Sequence, residues 1–82
     1  MPERLLTSTA KVVGAKQTLR AVEDGRVQVV FVAQDADGHV VEPIIEACRR
    51  RGIEVVYVDS VAALGRYCKI DVGAAAAALV KT

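Results

Sequence analysis

Residues that could bind an anion are concentrated near the amino end of the chain. Between Arg4 and Arg20 there are four basic side chains and no acidic one. Gly14 separates two valines from a segment in which apolar residues recur three positions apart, which predicts a short strand, a glycine turn and a helix start. The free backbone N–H groups of a first helical turn, with cations beside them, suit an anion. The alternative interpretation is an ordinary strand-to-helix turn with a solvated basic face.

Groups that could catalyse a reaction or hold a metal are few. The one histidine, His39, has no potential partner beside it and is interpreted as a solvated loop residue. Asp35 and Asp37 would fit a metal or an acid–base pair, but in a loop after a strand such side chains more often cap backbone N–H groups. The turn at Gly14 matches neither GxGxxG nor the P-loop pattern. We therefore expect no enzyme activity, no metal and no cofactor.

The composition predicts one packed globular domain over residues 1–82. Hydrophobic residues make up 52% of the 82 positions, and the net charge is only +1, so nucleic-acid binding would need a local basic patch. Three aromatic residues are too few for a base-stacking platform. The sequence contains no apolar run of about 18 residues and no pattern of a secretory signal, so we expect a cytoplasmic location and no membrane contact.

Predicted helices and strands alternate along the chain. In order they are a helix over 4–11, a strand from 12, a helix over 15–24, a strand over 27–33, a helix over 43–51, a strand over 53–58, a short helix after 60 and a strand over 74–80. The last segment contains five consecutive alanines, which favour a helix by propensity. Gly73 interrupts any helix from before it, and a strand packed under helices needs small side chains, so we predict a strand. The alternation predicts an α/β/α sandwich with a short, mostly four-stranded mixed sheet.

The predicted core draws on both strands and helices. Its members are Leu19, Val22, Val29, Phe31, Ile45, Val56, Val58 and Leu64, with Ile44, Ile45 and Cys48 as the apolar stripe of the third helix. Cys48 and Cys68 have no CxxC spacing, so we expect two buried thiols unless the fold brings them together as a disulfide. Three arginines precede Gly52 at a predicted helix end, where we interpret them as solvated partners of the helix dipole rather than as a binding cluster.

Four segments also form a pattern by their order and spacing. They are residues 14–20 (GAKQTLR), residues 32–37 (VAQDAD), Leu64–Gly65 with Cys68, and residues 70–75 (IDVGAA). Together they resemble the kink-turn RNA-binding ribosomal proteins, the archaeal "seven-Ae" and eukaryotic "thirty-e" type, and look most like its short bacterial paralogues. The resemblance covers nearly the whole chain. It implies an α/β/α sandwich and a non-catalytic monomer that binds a bent helix–bulge–helix RNA with tandem sheared G·A pairs.

The resemblance also implies which residues would touch the RNA. They are Lys11, Gly14, Ala15, Lys16, Gln17, Arg20, Asp35, Lys69, Ile70, Asp71 and Val72. The binding helix of the family begins with a glycine, followed by a variable residue, a polar pair and a basic residue. Many archaeal members have Asn-Glu as the polar pair, where this chain has Lys16 and Gln17. Bacterial relatives tend to have glycine at the position of Lys69, which would be strained if that backbone is left-handed and would otherwise be a further cation near the RNA.

The implied recognition is physically reasonable. The major groove of a regular A-form helix is too narrow for side chains, but a kink opens it and exposes guanine O6 and N7. Lys16, Gln17 and Arg20 could donate to these acceptors while the amides near Gly14 bind phosphates. Residues 70–72 would cover the extruded bulge nucleotide with an apolar surface. The natural RNA could be ribosomal, a riboswitch or another structured RNA, and ribosome association is an expectation.

Two other functions fit the same fold. One is an RNA-recruiting domain of the type attached to RNA methyltransferases, although 82 residues hold no catalytic domain beside it. The other is a protein-interaction module that has lost RNA binding. The acid-free basic stretch from Arg4 to Arg20 weighs against that loss.

Overall fold

The centre of the molecule is a sheet covered by helices on both faces. The structure, a computed structural model, describes residues 10–81. Its elements are β1 (Lys11–Val13), α1 (Ala15–Glu23), β2 (Val27–Ala33), α2 (Gly38–Arg51), β3 (Glu54–Val58), α3 (Val61–Tyr67) and β4 (Ala76–Val80). The helix predicted over 4–11 lies outside the described residues up to position 9, and its last residue, Lys11, belongs to β1 instead.

The described sheet is mixed and has four strands, as predicted, and their order is β1-β4-β2-β3. β2 and β3 are parallel and pair Ala33 with Val58, whereas β4 runs antiparallel to both β1 and β2. Val13 pairs with Ala77, so β1 ends where β4 begins. The carboxyl ends of β1, β2 and β3 and the amino end of β4 therefore lie at one edge, called here the carboxyl edge. Each of the three helices within residues 10–81 follows a strand that ends there.

Two apolar clusters fill the spaces between the layers. On one face, Val30 packs with residues of α1 and α2 such as Val22 and Ile44. On the other, Phe31 packs with Leu64 of α3. Successive residues of β2 point to opposite faces, and because both faces are covered, nearly every side chain of this strand is buried. The three-layer sandwich is confirmed.

The alanine-rich segment is a strand, as predicted. Ala76 and Ala78 belong to the cluster under α1 and α2, whereas Ala77 belongs to the cluster under α3. All three are fully buried between neighbouring strands. Helices on both faces contact β4, and such close approach requires small side chains, so tertiary packing overrides the helical propensity of alanine.

The helix α2 begins at Gly38 and not at Pro43, so that prediction was wrong. The carboxylate Oδ1 of Asp37 accepts a hydrogen bond from the His39 N–H at 2.9 Å and caps the helix. His39 consequently lies in the first helical turn and not in a loop. Pro43 lacks the N–H that would continue the helical hydrogen bonds, but Val41 and Ile44, three residues apart, bury one face of a helix that passes through it.

The predicted core is confirmed for five side chains and is only partly right for three. Val22, Val29, Phe31, Val58 and Leu64 are buried. Leu19, Ile45 and Val56 are partly buried. Ile45 is turned away from the stripe formed by Ile44 and Cys48, because neighbouring positions on a helix are about 100° apart. Val56 lies on an edge strand, which has a neighbour on one side only.

The two cysteines are separate buried thiols, as predicted. Cys48 belongs to the cluster under α1 and α2 and Cys68 to the cluster on the opposite face of the sheet. Burial raises the pKa of both thiols, and at Cys68 the charge of Lys11 partly opposes that rise in pKa. Each thiol is therefore held in its neutral, less reactive form.

We expect a reducing agent to leave the melting temperature unchanged. The two sulfur atoms are separated by the sheet, so no disulfide contributes to the folded state. The measurement is thermal unfolding followed by circular dichroism with and without reductant, with thiol counting in native and denatured protein as the control. A clear fall in melting temperature on reduction would mean that the two cysteines are bonded.

Candidate nucleic-acid interface

The turn from β1 into α1 requires a glycine. Gly14 has φ +103°, which L side chains rarely adopt. Its N–H donates to the Ala76 carbonyl at 2.8 Å, and its own carbonyl accepts from the Thr18 N–H at 2.9 Å. One residue therefore ends a strand pair and begins a helix. The amides of the first helical turn have no acceptors within the helix, as at any helix start. Gly14 has no side chain that could accept a hydrogen bond from them.

The helix α1 presents one polar and one buried face. Lys16, Gln17 and Arg20 are exposed, while Thr18 and Val22 are buried against the sheet. The exposed face therefore joins two cations, an amide group and the free N–H groups at the carboxyl edge of the sheet, a combination of donors suited to oxygen acceptors of nucleic acids.

The loop between α3 and β4 returns the chain to the same edge. The Ile70 N–H donates to the Gly65 carbonyl at 3.1 Å, and the Ala74 N–H donates to the Val61 carbonyl at 3.1 Å. These hydrogen bonds hold the loop against the backbone of α3. The chain then enters β4, whose Ala76 accepts the hydrogen bond of Gly14, so the loop and the start of α1 are neighbours.

Two glycines make this close packing possible. A Cβ atom at Gly65 would overlap the carbonyl oxygen of Val72, and one at Gly73 would overlap Val61. Both positions belong to the sequence motifs, in which Gly73 is interpreted only as a helix breaker and Gly65 has no assigned role. Gly65, inside a predicted helix, is the sequence feature that could have indicated this packing, because such a glycine often marks the close approach of another segment.

The tip of the loop exposes apolar side chains. Val72 is 71% exposed and Ile70 36% exposed, with Asp71 between them also exposed. Lys69 precedes them with φ +62°, so its backbone is left-handed, the condition under which strain was expected. For a residue other than glycine this conformation costs roughly 1–2 kcal/mol.

Of the remaining expected contacts, Asp35 lies at this edge and Lys11 begins β1, two residues away from it. Asp35 follows β2, and its carboxylate accepts a hydrogen bond from the Val61 N–H at 2.6 Å, while Ser60 accepts from the Ala63 N–H at 3.0 Å. Asp35 thus caps α3 and has part of its hydrogen-bonding capacity engaged within the protein. Lys11 is two residues before Val13, which packs against the cluster under α3, so Lys11 points to the α3 face, where its charge partly opposes the raised pKa of Cys68.

Both aspartates accept hydrogen bonds from backbone N–H groups at the starts of helices. Asp35 caps α3 and Asp37 caps α2, so the capping interpretation is confirmed. Within residues 10–81 there is no group of three or more His, Cys, Asp or Glu placed to hold a metal ion. None of the helices in this range has the length and apolarity needed to cross a membrane.

Comparison with known proteins gives concordant matches. The family model described as ribosomal protein L7Ae/L30e/S12e/Gadd45 matches residues 4–82. RNA-binding protein TTE2299 of Caldanaerobacter subterraneus is 57% identical over 68 residues, 83% of each chain. Large ribosomal subunit protein eL8 of Halobacterium salinarum is 40% identical over 82% of this chain and 57% of its own length.

A solved structure extends the agreement to the fold. The 15.5kD RNA binding protein of Giardia lamblia superposes with a TM-score of 0.87 at 30% identity, over 99% of this chain and 68% of that one. The same family is indicated by the four sequence segments, by the sandwich around a mixed sheet and by the family match. The chain belongs to the ribosomal protein L7Ae/L30e/S12e/Gadd45 family.

Proposed function

We propose that this protein binds kink-turn RNA and stabilises its bent form without catalysing a reaction. The observation that carries the proposal is the meeting of two surfaces at the carboxyl edge: the exposed donors of α1 and the exposed apolar tip of residues 70–72. A relative of 57% identity and a structure of the same fold are both named as RNA-binding proteins. These names support RNA as the ligand class.

The helix α1 would enter the major groove where the kink opens it. Lys16 and Arg20 carry cationic donors and Gln17 an amide, and all three can donate to guanine O6 and N7 at the sheared pairs. The first-turn amides at Ala15 and beyond would bind phosphates of the bend. Base edges would provide specificity and phosphates would fix position.

The loop would bind the extruded nucleotide. Ile70 and Val72 are apolar yet exposed, and covering them with a base would remove apolar surface from water. Lys69, just before the loop tip, and Lys11, at the start of β1, would contact the RNA backbone. Asp35 would act chiefly by holding α3 and the loop in place. We propose a monomer in the cytoplasm, with ribosomal or another structured RNA as partner and no cofactor.

The experiment compares two substitutions on two RNAs. Gln17→Ala should weaken binding to a kink-turn with intact G·A pairs by about 1–3 kcal/mol, because a base contact is lost. Adding Lys16→Ala should deepen the loss. Lys11→Ala should weaken binding to the kink-turn and to an unkinked duplex by similar factors, since a backbone contact does not read sequence. Titrations with end-labelled arms report both affinity and bending.

The control RNA has its G·A pairs converted to Watson–Crick pairs. The wild-type protein should bend the intact RNA and discriminate against the control, because it favours the kinked state. Equal binding of both RNAs, or an unchanged affinity of Gln17→Ala, would contradict base reading by α1. Binding of neither RNA at moderate salt would favour a protein-interaction module.

A further inference from the structure

Cations continue beyond the proposed base-reading site along α1 and onto the carboxyl end of α2. Lys16, Arg20 and Glu23 line one surface groove, and Glu23, Arg50 and Arg51 line another. The two grooves share Glu23 and are therefore neighbours on the surface. Four cations and one carboxylate follow this line, which we call the α1–α2 track.

A hydrogen bond ties the far end of the track together. Nη2 of Arg51 donates to the backbone carbonyl of Glu23 at 2.9 Å, across 28 positions of sequence. Ala47, Arg50 and Arg51 are spaced i, i+3, i+4 and so share one face of α2, whose Ala47 is buried. Both arginines therefore lie beside the carboxyl end of α1, about 10 Å along the helix axis from Lys16 at 1.5 Å per residue.

Arg50 and Arg51 differ from the two other arginines nearby in the groups that they contact. Arg26 is paired with Asp24 at 3.7 Å, and Arg49 with Glu46 at 3.0 Å. In residues 10–81 Arg50 forms no such ion pair, and Arg51 contacts a neutral carbonyl. A guanidinium has five N–H donors, so Arg51 keeps several for a further ligand. The track thus carries four cations against one carboxylate, and none of the four forms an ion pair within residues 10–81.

We propose that Arg50 and Arg51 bind phosphates of one arm of the RNA, which runs from the kink along the α1–α2 track. The proposal rests on the proposed function and extends its footprint from the carboxyl edge to the opposite end of α2. A duplex carries about one charge per 1.7 Å of axis in B-form DNA, so an arm crossing about 10 Å presents several phosphates. Arginine suits such oxygens because its planar fork binds them bidentately.

The test uses two double variants with equal loss of charge. Arg50→Gln/Arg51→Gln removes the track cations, whereas Arg26→Gln/Arg49→Gln removes two arginines that are already ion-paired. On a kink-turn RNA with two long arms, the first should bind about 3- to 10-fold more weakly at moderate salt. Its slope of log K against log salt should be shallower by about 1–2, because each phosphate contact contributes about 0.9 on B-form DNA. The second should stay within about twofold of wild type.

Arm truncation then locates the contact. Shortening one arm should abolish the difference between wild type and Arg50→Gln/Arg51→Gln, while shortening the other arm should preserve it. Arg50→Gln alone repeats the test without breaking the hydrogen bond of Arg51. Arg50→Lys/Arg51→Lys should restore most of the salt slope. Thermal unfolding confirms that each variant is folded.

The outcomes separate this proposal from the function it rests on. If wild type discriminates the kink-turn from its Watson–Crick control but both double variants bind alike, the arm contact is refuted and the function stands. An effect that persists with either arm shortened also refutes it. If wild type binds no kink-turn RNA, both proposals fail.

Discussion

Phe31→Ala should lower the free energy of unfolding by roughly 3–5 kcal/mol, the usual loss for a buried aromatic. Phe31 is fully buried on the central strand β2, where it packs with Leu64 of α3 and with the small residues of β4. Truncation would leave a cavity that rigid neighbouring strands cannot close. Denaturant titration followed by circular dichroism measures the loss.

Tyr57→Ala is the matched control. Tyr57 is the aromatic residue of the neighbouring strand β3, paired with Val32, and is 53% exposed. Its truncation removes a similar ring with little change in packing, so we expect a loss below about 1 kcal/mol. Equal losses for the two variants would contradict the burial of Phe31 and the central place of β2.

Gly65→Ala should both destabilise the protein and weaken RNA binding. The added Cβ would overlap the Val72 carbonyl and press on Gly73, and both contacts are backbone atoms that cannot rotate away. Overpacking of this kind costs typically about 1–3 kcal/mol, occasionally more. The loop must move, and with it the apolar tip proposed to cover the bulge nucleotide. Chemical denaturation and titration with kink-turn RNA measure the two effects.

Gly38→Ala is the control for this substitution. Gly38 is the first residue of α2, has an ordinary φ and has open space where a Cβ would lie. Alanine there should leave stability unchanged or raise it by about 0.4–1 kcal/mol. If Gly65→Ala matched this control in both stability and affinity, the loop would not depend on close contact with α3.

At Lys69 the backbone conformation favours a different residue type from the one that the chain has. Its φ of +62° favours glycine, yet the chain has a lysine immediately before the exposed loop tip. Strained positions of this kind are often found in binding segments. In the proposed complex the side chain would place an additional cation near the RNA backbone, which a glycine could not do.

Much of the architecture follows from local patterns in the sequence. The bounds of β2 agree with the apolar run of residues 27–33, and Gly14 marks the start of α1 as expected. Strand and helix periodicities, caps and left-handed turns depend on neighbouring residues, so they can be read directly. The family resemblance likewise rests on short segments in a fixed order.

Other features depend on contacts between distant parts of the chain. The preference of proline for a first helical turn placed the start of α2 at Pro43, whereas burial of Val41 in the core extends the helix back to Gly38. Asp35 meets its partner 26 positions away, and Arg51 reaches Glu23 across 28. Nothing local to either residue specifies such a partner. The three-dimensional packing alone decides that Asp35 caps α3 and that the arginines of α2 extend the basic face of α1.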